Sequence, residues 1–278
     1  VIEIFKALVP VLLPALLGLL GGLLSAWFTM RSSYVMKQRE KESEERSKLQ
    51  LQYLDPLRVA SQDLHDRLIE IRERQNQKDL ILQTGLQQLI ANKTGNAPDN
   101  PPYKYIWQNK GDYAEWANYI GCFTLSTLRI TALYFYQAGK ILQQLPYVKL
   151  SSEDDAGLRK HLIDVRSALG GSYGIWSDLQ DSIGEYLLKE NGQPRNYREF
   201  CCEIVDDVNY CWFSRPIHFF ADFHLKTPDE VERMIKSLAE LERFLRDKTP
   251  QVDQLKPSSK FRSLPNNTNA RRLPRDYL

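Results

Sequence analysis

No charged side chain interrupts the chain between Leu8 and Met30, and a run of that length covers the ~20 apolar residues that an α-helix needs to cross a ~30 Å hydrocarbon core. The run predicts a transmembrane helix. A secretory signal peptide fits less well, because its apolar region is ~7–15 residues long and ends at a small-x-small site, whereas Leu24 stands here where a small residue is wanted. Trp27 falls at the level of an aromatic belt, and Arg31, Lys37, Arg39 and Lys41 follow it, against Lys6 offset by Glu3 on the other side. The positive-inside bias then predicts a single-pass protein of the plasma or inner membrane whose C-terminal part is cytoplasmic. Gly18, Gly22 and Ala26 recur every four residues. That small-residue face predicts association of two such helices in lipid, and so a homo-oligomer.

The formal net charge of +2 on 278 residues does not suggest a nucleic-acid-binding protein. Beyond the apolar run the sequence divides into a polar helical stalk at 31–54, an all-α cytoplasmic domain at 55–247 and a flexible basic tail at 248–278. The tail holds seven Lys or Arg against two Asp. Arg31 and Lys37 beside the span, with Arg271, Arg272 and Arg275 in the tail, are the candidates for contact with an anionic lipid surface.

Helix signals dominate the domain. Asp55-Pro56 reads as N-cap and first helical residue, and Leu57, Ser61, Leu64, Leu68 and Ile71 then step along one face. A second helix is expected over Lys78 to Ala91, then a loop. Tyr103 to Trp107 alternates apolar and polar side chains, an isolated strand-like signal. Asp112 to Leu145 is apolar on most sides and is expected to be the buried central helix. Further helices are expected from Ser152 to Leu169, from Ile175 to Lys189 after the break at Gly170-Gly171-Ser172-Tyr173-Gly174, and from Asn196 to Phe213. Thr227-Pro228-Asp229-Glu230 has the composition of a capping box leading into Val231 to Arg246. The expected fold class is all-α, with one N-terminal transmembrane helix followed by a soluble multi-helix bundle.

Chemistry is sparse. Cys201, Cys202, Cys211, His218 and His224 are metal-ligating types close in sequence, but adjacent cysteines diverge on a helix and do not make a C-x2-4-C pair. The expectation is metal-free, reduced thiols, with Cys behaving as a small buried hydrophobe and His218, Phe219, Phe220 and Phe223 forming an aromatic end to the core. No Glu-x-x-His occurs for a di-metal bundle, no phosphate loop completes the glycine run, and no nucleophile elbow is present. No cofactor is expected. The reading is a membrane-anchored helical interaction or scaffold protein. The alternatives are a membrane effector or sensor controlling assembly of the spans, and an enzyme with an unrecognised helical active site.

Overall fold

Pro56 does not begin a helix; it lies inside one. In the computed structural model, which describes residues 2–79, 81–94, 107, 109–144, 150–171 and 174–248, helix α1 runs unbroken over Ile2–Asn76. For residues 2–24, 26, 46, 49 and 50 of that helix only the backbone is described. Proline inside a helix forfeits one backbone hydrogen bond. The helix continues because Leu54 and Leu57, on either side of Pro56, are both fully buried in the same core, and Asp55 accepts from the Arg58 guanidinium at 2.8 Å instead of capping.

The apolar run is not the expected membrane anchor. Among the described residues no helix is long and apolar enough to cross a membrane. The side chains from Leu8 to Leu24, with Gly18, Gly22 and Ala26, lie outside the described residues. The backbone of the run does not end as an element of its own. It continues into a helix that carries charged side chains at nearly every turn from Arg31 onward. The structure therefore does not support the expected single-pass architecture, its cytoplasmic placement, the membrane partner, assembly through the span or the membrane-anchored scaffold or effector function. Trp27 is not left as a bare belt residue: the Arg31 guanidinium sits 5.2 Å from its ring centroid and Phe28 meets it edge-on.

The described fold is an all-α multi-helix bundle. After α1 come α2 (Ile81–Thr94), α3 (Lys110–Asn118), α4 (Ile120–Gln144), α5 (Ser152–Leu169), α6 (Ser177–Tyr186), α7 (Tyr197–Ile204), α8 (Asp207–Ala221), a 3-10 turn (Phe223–Leu225) and α9 (Pro228–Lys248). Among the described residues extended pairing is limited to one antiparallel bridge, Leu188 with Pro194. Tyr103 to Ile106, the strand-like stretch, lies outside them.

Helix α4 is the hub, touching α1, α2, α3, α6 and α7, while α9 closes the other side against α1 and α5. The face predicted by 4,3,4,3 spacing in α1 is the buried one: Leu57, Ser61, Leu64, Leu68 and Ile71 are all at most 1% exposed. Helix α9 buries Val231, Met234, Ile235, Leu238, Leu241 and Leu245 on one stripe. Its start is the expected box, with the Thr227 hydroxyl accepting from Glu230 N and the Glu230 carboxylate accepting from Thr227 N. Close crossings need glycine at two places on the hub. A Cβ on Gly184 of α6 would come within 2.6 Å of the Tyr136 backbone nitrogen, and one on Gly85 of α2 would strike the Thr124 side chain.

Two expected helices are each two helices. Asp112 to Leu145 breaks at Tyr119, where Gly121 presses so tightly on Trp116 that a Cβ would lie 2.5 Å from the indole ring. Asn196 to Phe213 breaks after Ile204, because Asp206 caps a new helix by accepting from Val208 N and Asn209 N. The first of these breaks turns α3 off the line of α4, and the second separates α7 from α8. A cleft forms between α3 and α7.

Candidate functional site

Helix α3 is short and locally programmed. The Asn109 side chain caps its N-terminus, accepting from Gly111 N at 2.7 Å and Asp112 N at 3.1 Å. Its inner face anchors through Trp116, whose indole N–H donates to the Gln88 side chain of α2 at 2.7 Å. Trp107 and Tyr113 complete an aromatic group with Trp116, the ring centroids of Trp107 lying 4.7 Å from Tyr113 and 4.9 Å from Trp116. Helix α7 opens on a full capping box between Asn196 and Glu199. Its C-terminal carbonyl at Val205 accepts from the Lys93 ammonium, which also pairs with Asp207 at 2.8 Å. A cation at that end satisfies a carbonyl left over by the helix and opposes the negative end of its dipole.

Two tyrosines tie the helices across the cleft. Tyr113 of α3 donates its hydroxyl to the Cys201 carbonyl of α7 at 2.6 Å, and Tyr197 of α7 donates to the Ala117 carbonyl of α3 at 2.8 Å. The early residue of each helix meets a later residue of the other, so the two helices run antiparallel. The cleft encloses about 410 Å3, and Tyr113, Ala114, Ala117, Tyr197, Cys201 and Val205 supply its apolar walls. That volume lies in the range of pockets that bury a small ligand or a few side chains. Lys110 and Arg198 are its charged residues, both exposed. Among the described residues no carboxylate and no imidazole lines it.

Burial keeps three of the cleft's polar side chains protonated. Burial pushes the Cys201 thiol up to about 11, neighbouring Cys202 and Cys122 adding to the shift. Burial also raises the Tyr113 and Tyr197 hydroxyls, the latter further through Cys122 and Cys201. Protonated thiols and phenols are neither nucleophiles nor bases at neutral pH.

The chain matches no protein-family model, no curated protein and no solved structure. What it does has to be read from the molecule itself.

Of the sequence-predicted site residues, Arg31 and Lys37 alone have described side chains. Arg31 and Lys37 are exposed on the part of α1 that precedes the core. Arg271, Arg272 and Arg275 lie outside the described residues, as do the side chains of Gly18, Gly22 and Ala26. The cysteines differ from their expected burial: Cys201 is buried, but Cys122, Cys202 and Cys211 are exposed. His218 and His224 face outward, while Phe219, Phe220 and Phe223 form the expected aromatic cluster. Among the described residues no group of three His, Cys, Asp or Glu is placed to hold a metal ion.

The cleft residues were missed by sequence reasoning. Their signal was present as two stripes, 110, 113, 114, 117, 118 and 197, 198, 201, 202, 205, each at helical spacing. Either stripe alone looks like an ordinary amphipathic face.

Proposed function

We propose that this protein is a binding module without catalysis of its own, and that the cleft between α3 and α7 receives an apolar group from a protein partner. The observation that carries the reading is the lining: apolar walls, the buried Cys201 thiol and Tyr197 phenol held neutral, and, among the described residues, no carboxylate or imidazole. Tyr119 and Ile120, at 75% and 42% exposed, adjoin Asn118 on the cleft wall and extend the apolar surface outward. Exposed aromatics beside a pocket are the usual anchors of a protein interface.

Ala114 lines the cleft and is exposed, so its replacement leaves the core intact. A photocrosslinking amino acid at position 114 of the full chain, activated in the source cell, should capture a defined partner. Ala114→Trp, which fills the cleft, should remove that partner from complexes purified by a second tag. Identical partner sets for the wild type and the tryptophan variant would sink the reading.

A further inference from the structure

The two cations of the cleft sit at opposite ends of it. The antiparallel register set by Tyr113 with Cys201 and Tyr197 with Ala117 places Arg198 opposite the last turn of α3, whereas Lys110 begins that helix. Seven residues of helix separate Lys110 from Ala117, about 10 Å along the cleft. Among the described residues neither Lys110 nor Arg198 has an ion-pair partner, although the neighbouring Lys93, Lys189 and Arg195 are all paired with carboxylates. The apolar floor lies between two unmatched positive ends.

We infer that the partner segment is acidic: an apolar residue or pair seated in the cleft, bracketed by two carboxylates about three residues apart in an extended chain, which spans the same ~10 Å. The inference rests on the binding reading above and adds the chemistry of the partner. Charge complementarity at both ends would fix the register of the segment and reject basic sequences, the role that rim charges play at interfaces. Exposed pairs are weak singly, so the walls supply the anchor and the ends supply the choice.

The probe is a fluorescein-labelled peptide with Glu-Leu-Phe-Glu at its centre, compared with the same peptide carrying Gln in place of both Glu, each titrated into the full chain and followed by anisotropy. The Glu peptide should bind roughly fivefold tighter at 50 mM salt, and the difference should shrink towards none at 1 M, where screening acts within ~3 Å. Lys110→Glu with Arg198→Glu, both on exposed positions, should reverse the preference while leaving the circular dichroism unchanged. Ala114→Trp should abolish binding of both peptides. Equal affinity for Glu and Gln peptides that is still lost in Ala114→Trp would overturn the acidic partner and leave the cleft reading standing. No binding of either peptide, or binding indifferent to Ala114→Trp, would overturn both. Tighter binding of a labelled single-stranded oligothymidine than of the Glu peptide, lost in the charge-reversed variant, would replace the acidic peptide with a nucleic acid.

Discussion

Tyr113 donates its hydroxyl to the carbonyl of Cys201, 2.6 Å away on a helix that is eighty-eight residues distant in sequence. With the reciprocal bond from Tyr197 to Ala117, it sets the width and direction of the cleft. Each hydroxyl should contribute about 1 kcal/mol, the usual net worth of an intramolecular hydrogen bond. Tyr113→Phe and Tyr197→Phe should each lower the unfolding free energy by that amount, seen as a lower denaturant midpoint with the slope of the transition unchanged. The loss in the double variant should be smaller than the sum of the two single losses if the two bonds brace the same pair of helices. Unchanged midpoints in both single variants would mean that the tyrosines ride on a cleft held open by other contacts.

Glycine 184 tests the packing around the hub. The atoms that a Cβ would meet are the backbone of Tyr136 and Phe135, at 2.6 to 2.9 Å, and backbone cannot rotate away as a side chain can. Gly184→Ala should therefore cost about 1–3 kcal/mol, the range for overpacking a tight core. It does so even though alanine is the better helix former. The check is chemical denaturation, and a stabilised or neutral variant would show that α6 and α4 can separate freely.

How much of this was visible in the sequence depends on which physical cause set each feature. Local causes were legible. The stripe from Leu57 to Ile71, the box at Thr227 and the all-α class follow from side-chain periodicity and capping, which act within a few residues. Tertiary causes were not. The break at Tyr119 comes from the contact between Gly121 and the Trp116 ring, and the helix through Pro56 is sustained by burial of Leu54 and Leu57. Neither leaves a trace in a hydrophobic pattern. The Leu8 to Met30 run reads as a span from its apolar length and its basic flank, and the charged helical continuation at 31–54 is legible beside it, but among the described residues no helix is long and apolar enough to cross a membrane. The cleft was hidden because Asn196 to Phe213 looked like a single helix, although the Asp206 cap that divides it is an ordinary Asx signal.

Alkaline pH should weaken the fold through Cys201. Its thiol is raised from an ordinary value of 9.0 to about 11 by burial. The native state therefore holds the proton after the unfolded chain has released it. The stabilisation is fully present below pH 9 and is lost as pH rises through 11. The raised hydroxyls of Tyr113 and Tyr197 act in the same direction above pH 10. Denaturant midpoints should fall between pH 9 and pH 11, less steeply in Cys201→Ala. At neutral pH an aromatic disulfide reagent should react quickly with the exposed Cys122, Cys202 and Cys211, and far more slowly with the buried Cys201. A fast fourth thiol would contradict the burial on which the pH dependence stands.

The described side chains of α1 before Tyr53 are almost all exposed, and from Leu54 onward one face of the helix enters the core. In the sequence of this exposed part Lys41 and Glu45, and Glu44 and Lys48, stand four apart, a spacing at which an opposite-charge pair contributes about 0.2–0.5 kcal/mol and is weakened by salt. Such a helix is marginal without tertiary packing. Hydrogen exchange on the full chain should show amides from Arg31 to Lys48 exchanging orders of magnitude faster than those from Leu57 to Ile71, with the step falling near Leu54. Raising salt from 0.05 to 1 M should speed exchange in the first group and leave the second unchanged, because the pairs are screened and the core is not. Uniform protection along α1 would show a partner covering the exposed part, a second copy of the chain being the first to test by sedimentation. It would also move attention from the α3 and α7 cleft to Trp27, Phe28, Tyr34 and Met36, the apolar side chains that such a partner would bury.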